Sequence, residues 1–210
     1  MTRVGSPHPT GAELLVLHTL RCAGWSELSR VAEAAGLTEP EAESELIDLA
    51  VAGLAVRTTD GFGGWGLTAA GRAAAAERIA QELELSGAQR TVAAAYARFL
   101  VLNPELLDLC TAWQLRVVDG ASLPNDHLDP DYDALVLRRF ADLNARADAV
   151  LTELSSALAR FGRYRFRLTV ALTRAWAGER DRVTDSTSSY HTVWFQLHED
   201  LLATLGLPRE

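Results

Sequence analysis

The sequence predicts a mainly α-helical protein with one small β-hairpin, and three observations predict it. Apolar residues recur at intervals of three and four along most of the 210-residue chain, the spacing of helices with one buried face. Ser, Thr and Gly punctuate the first 87 residues at helix starts and stops. Two short runs, LAVRTT and WGLT, flank the glycine-rich DGFGG, which is hairpin chemistry. Hydrophobic residues make up 48% of the chain, enough to build a core and too many for a disordered polymer.

The elements follow in order. Thr10 to Ala23 reads as a first helix, with Leu14, Leu17, His18 and Arg21 at helical spacing and Gly24 ending it. Ser26 is placed to cap a second, short helix that carries Leu28, Val31, Ala32 and Ala35 inward and stops at Gly36. Thr38 with Glu41 three residues on forms a capping box for a third helix, whose inward stripe is Ala42, Leu46, Leu49, Ala50 and Gly53. The hairpin comes next. Thr68 then caps an alanine-rich fourth helix, and Ser86-Gly87 is the joint.

Helix, helix, turn, helix, hairpin, helix is the order of a winged helix-turn-helix. Ser26 to Arg72 carries the GLT turn (Gly36 to Thr38), the Gly53-Leu54 strand entry and the LTAAGR exit (Leu67 to Arg72), and this stretch resembles the MarR-type transcriptional regulators. The resemblance stops there; the second half of the chain does not match. It implies a bacterial regulator that binds double-stranded DNA as a homodimer, the third helix in the major groove and the hairpin as a wing on the backbone. Carried onto this sequence, the implied DNA contacts are Arg30, Thr38, Glu41, Ser44, Glu45, Arg57, Thr58 and Arg72.

Charge pulls the other way. The formal net charge is −8, and all 20 basic residues are Arg, a composition expected of a high-GC bacterial genome. Residues 1–87 hold 6 Arg against 12 acids, and the outward stripe of the third helix is Glu41, Ser44, Glu45 and Asp48. Carboxylates repel phosphates, so DNA contact needs a local basic patch, and the TTDGFGGWG tip supplies none. The alternative is a winged-helix module that does not bind DNA and uses its acidic third helix to hold a basic protein partner.

The expected division is a winged domain over 10–85 and an all-helical dimerisation or effector domain over 88–210. In the latter, Arg90 to Val118 is helical with a break at Asn103-Pro104, VDGASLPNDHLDPD is a polar loop, and Tyr132 to Phe161, Arg163 to Ala177 and Ser189 to Leu205 are helices. Seven Arg crowd Arg160 to Arg182. Arg163, Arg167 and Arg174 fall near one helical face and stand as candidate anion ligands; an internal pairing with acidic segments and a plain solvated face are the competing readings. Trp176, His191 and Trp194 complete the candidate wall of a pocket for a small anionic or aromatic effector, with a core role as the alternative for the tryptophans.

Catalytic and metal signatures are weak. No GxSxG, P-loop, GxGxxG or HExxH occurs, so no enzyme activity and no cofactor is expected. His191 and His198 stand seven apart, too far to grip one ion easily, and a site with His127 and Asp126 or Asp129 lacks a usable ligand pair, so no metal is assigned. Asp129, Asp131 and Asp133 mimic the start of a calcium loop, but Ala134 and Phe140 stand where Gly and Glu are required. Asp131 reads instead as a helix cap. Cys22 and Cys110 imply no disulfide framework. No signal peptide or membrane span is legible, and the cytoplasm is the expected compartment.

Overall fold

In a computed structural model the described residues are 6–58, 64–118 and 120–208. Among them are eight α-helices and two antiparallel two-stranded hairpins, so the protein is mainly helical. The chain divides into two compact units: Met1–Ala93 with Leu154–Arg163 and Gln196–Glu210, and Ala94–Glu153 with Tyr164–Phe195.

The first unit begins with α1 (Ala12–Ala23), α2 (Leu28–Ala35) and α3 (Glu39–Val51), continues through β1 (Ala55–Thr58) and β2 (Gly64–Leu67), and reaches α4 (Ala69–Ser86). Leu17 and Leu20 of α1, Val31 of α2, Leu46 and Leu49 of α3, Trp65 and Leu67 of β2 and Ala75 of α4 close into one apolar core. The capping box at Thr38 and Glu41 forms as its spacing predicts, and Thr68 caps α4 by accepting from the Gly71 amide at 3.0 Å. The Thr68 hydroxyl also donates to the Gly53 carbonyl at 2.8 Å, so one side chain ties the strand entry to the helix start. Gly71 is needed there because a Cβ would collide with the Leu54 carbonyl oxygen.

The second helix starts one residue later than the sequence suggests. Glu27 is its N-cap, with no side-chain bond. Ser26 is occupied elsewhere: its amide donates to the Trp65 carbonyl at 3.0 Å, and its carbonyl accepts from the Trp65 amide at 2.8 Å, adding a rung beside β2. The strands pair as Ala55↔Leu67 through Thr58↔Gly64. The tip of the predicted hairpin, residues 59–63, lies outside the described residues.

In the second unit the sequence misplaces three features. Pro104 does not interrupt its helix; α5 runs unbroken over Gln89–Gln114, its first residues belonging to the first unit. Phe99, Leu102, Leu106 and Leu109 bury one side of it through the proline, and that apolar packing outweighs one missing backbone bond. Leu115 to Val118, expected as helix, is strand β3, paired with β4 (Ala121–Pro124) across what was expected to be a polar loop. The second half is therefore not wholly helical. Asp129, not Asp131, caps α6 (Pro130–Ala157), accepting from the Tyr132 amide at 3.0 Å with Pro130 as the first helical residue.

A one-turn 3₁₀ helix (Ala159–Phe161) follows α6, then α7 (Gly162–Trp176), a second 3₁₀ turn (Arg180–Arg182) and α8 (Tyr190–Leu205). Aromatic contacts hold the second unit's interior: Phe99 stacks on Trp194 with centroids 4.7 Å apart, and Phe140 meets Tyr190 edge-on at 5.4 Å.

Candidate functional site

The third helix presents two unlike faces. Ala42, Leu46 and Leu49 are buried, while Glu39, Glu41, Glu43, Ser44 and Asp48 lie in solvent. Ile47 and Val51 are also outside, 50% and 84% exposed. Ser44, Ile47, Asp48 and Val51 stand at i, i+3, i+4 and i+7 and form one stripe. Burying such side chains is worth about 1.5–3 kcal/mol each, a stabilisation that the fold leaves ungained at Ile47 and Val51 and that a partner covering them would gain.

Among the described residues Glu39, Glu43 and Asp48 have no hydrogen-bond or ion-pair partner. Glu41 is spent on the cap: its carboxylate accepts from the Thr38 amide at 2.8 Å and from the Thr38 hydroxyl at 2.7 Å, and these bonds, the amide first, hold its carboxyl below the ordinary value. Partial burial, then the nearby Glu13 and Asp48 charges, push the Glu45 carboxyl up.

The implied phosphate contacts come from three elements, α2, β1 and α4. Arg57 lies over the Trp65 ring at 5.8 Å, and Arg72 donates to the Leu67 carbonyl at 2.9 Å. Arg30 is exposed on α2 with no side-chain partner among the described residues, and Thr58 is half-buried at the end of β1.

The candidate effector residues fall in both units. Arg163 lies in the first unit; Arg167, Arg174, Trp176, His191 and Trp194 lie in the second. Arg167 is buried with its guanidinium 6.0 Å from the Tyr164 ring, Arg174 and Trp176 are exposed, and His191 is half-buried. Trp194 is 1% exposed, and its indole N–H donates to Asn103 at 3.0 Å. Other arginines of the cluster hold acids nearby in the fold: Arg165 grips both oxygens of Asp148, and Arg182 pairs with Glu179. The acidic loop is likewise divided. Asp129 caps α6 and pairs with Arg116, while Asp133 is buried and bonded to Asn125 and His127.

Sequence reasoning missed a buried polar network in the first unit. His18 on α1 and Asp200 on α8 are fully buried, with Nε2 and a carboxylate oxygen 2.9 Å apart. Arg160 donates to Asp200, to Glu82 at 2.8 Å and to the Thr204 hydroxyl at 2.6 Å. Arg163 donates to the second Asp200 oxygen at 3.1 Å and to Thr19 at 3.0 Å. Burial alone would raise the Asp200 carboxyl, but Arg160, His18 and Arg163 hold it well below the carboxylate range. Burial lowers His18 against the pull of Asp200, so it is a neutral imidazole near pH 7.

His18, Cys22 and Asp200 also place one donor each within 4.8 Å of one another, a geometry that can be compared with a metal centre. The donor chemistry does not fit one. Burial, then Asp200, push the Cys22 thiol far up, which keeps it protonated, and both Asp200 oxygens already accept from arginines. Two guanidinium charges against two carboxylates, with a neutral imidazole, make a closed electrostatic set. The signal lay in the sequence as His18 and Cys22 four apart on a helix, and Asp200 and Thr204 four apart on another. Comparisons with protein-family models, with curated proteins and with solved structures found no match to this chain.

Proposed function

We propose that the first unit is a winged-helix interaction module whose third helix docks on a basic protein surface. The observation that carries the reading is the exposed stripe of α3: Ile47 and Val51 beside Ser44 and Asp48, flanked by unpaired Glu39 and Glu43. A helix face that is acidic and apolar together suits a partner groove lined by Arg or Lys around aliphatic side chains. It suits a phosphate backbone poorly, since every charge on it has the wrong sign.

The homodimeric DNA-binding regulator is the second reading. It is favoured by the element order through α4, by the resemblance over Ser26 to Arg72, and by Arg30, which is free to meet a phosphate. A dimer would supply two half-sites.

One experiment separates the two. Fluorescence anisotropy compares a labelled amphipathic Arg/Leu peptide with a labelled random-sequence duplex, each titrated with full-length protein at low and moderate salt. Docking through α3 gives saturable peptide binding that Ile47→Asp with Val51→Asp reduces at least tenfold, and no duplex binding. Duplex binding with a steep salt slope, flattened by Arg30→Ala, would replace the proposal with the DNA-binding one.

A further inference from the structure

A surface cavity of about 690 Å³ opens in the first unit between α4 and the segment that ends α8. Ala76, Ala80, Leu83 and Leu207 give it an apolar wall. A second cavity of about 100 Å³ adjoins it, since Arg21, Ala203 and Leu207 line both. The larger volume lies within the range of small-molecule sites, which are mostly apolar with a few placed polar groups.

Arg21 is the cation of this site. Among the described residues its guanidinium has no hydrogen-bond or ion-pair partner, while other arginines of the same unit, Arg78, Arg160 and Arg163, are paired. An unpaired guanidinium at the junction of two cavities, in a stretch where acids outnumber Arg two to one, is the one cation among the described residues that line them. Glu84 lines the larger cavity and Glu199 the smaller one as formal anions, so the pair opposes a second negative group on the occupant. Thr204 reaches the same wall and accepts from Arg160, so an occupant rests against the buried network.

We infer that this cavity binds an amphipathic monocarboxylate, its carboxylate on Arg21 and its aliphatic part along Ala76, Ala80, Leu83 and Leu207. Guanidinium and carboxylate match as a bidentate pair, and the apolar wall supplies the rest of the affinity. The site is independent of α3 docking and stands or falls by itself.

Calorimetric titration with decanoate, decanol and decylamine, each below its aggregation threshold, tests it on the full chain. Decanoate binds saturably and at least tenfold more tightly than decanol, and decylamine binds more weakly than either. Arg21→Ala brings decanoate down to the decanol level with an unchanged melting temperature; Arg21→Lys keeps part of the preference. Ala80→Trp, which fills the wall, abolishes binding of all three. Equal affinity for decanoate and decanol, an unaffected Arg21→Ala, tighter decylamine binding or no saturable binding would each overturn the assignment.

Discussion

The first unit handles negative charge in two opposite ways. On α3, Glu39, Glu43 and Asp48 stand in water, with no ion-pair partner among the described residues. In the interior, Glu82 and Asp200 are 5% and 0% exposed and saturated by Arg160, Arg163 and His18. The difference follows from solvation. Water stabilises the surface carboxylates at no cost to the fold, which leaves them available to a partner. An isolated buried carboxylate costs several kcal/mol, so the fold must supply its counter-charges and cannot release them. Charge in the interior is structural here; charge on α3 is open for recognition.

The largest expected break in this contrast is Arg160→Leu. It leaves Glu82 without a guanidinium partner and takes from Asp200 one of its two arginines, and it should destabilise the protein by about 3–5 kcal/mol in urea unfolding. A loss under about 1 kcal/mol would mean that water reaches the network and the contrast is false.

Acid should act next. His18 has a lowered folded value against an ordinary 6.5, so the unfolded chain takes up a proton first as pH falls. Its contribution is therefore neutral above about pH 6.5 and increasingly destabilising below it. Asp200 works in the same direction at lower pH: its stabilisation is full above the unfolded carboxylate value and is lost as pH falls through the depressed folded one. Melting temperature should drop between pH 7 and pH 5, and His18→Gln should flatten that part of the profile. A flat wild-type profile would contradict the neutral buried imidazole.

Thr38→Ala removes the α3 cap and should cost about 1 kcal/mol without altering the interior, as thermal unfolding would show. The smallest effect belongs to Glu43→Gln with Asp48→Asn. It should leave stability within about 0.5 kcal/mol of wild type while weakening the Arg/Leu peptide. A stability change as large as that of Arg160→Leu would place these acids on the structural side of the contrast.

Much of the first unit was legible because its signals are local. Thr38, Thr68, Gly36 and Gly53 mark helix ends by chemistry that acts within four residues. Ser26 was misread because its backbone answers to Trp65, 39 positions on. The acidity of α3 was visible from composition, whereas the exposure of Ile47 and Val51 needed the packing of the other face. In the second unit, Pro104 and the Leu115–Pro124 hairpin misled because long-range burial and strand pairing overrode the local cues.

The sequence by itself determined the helical class, the first hairpin, the caps at Thr38 and Thr68 and the sign of the α3 face, since each depends on neighbours within a turn or two. Only the tertiary structure decided which charges are buried. His18, Glu82, Arg160 and Asp200 lie as far apart as 182 positions, and their pairing exists because the interior permits no unpaired charge, a demand that no local pattern records.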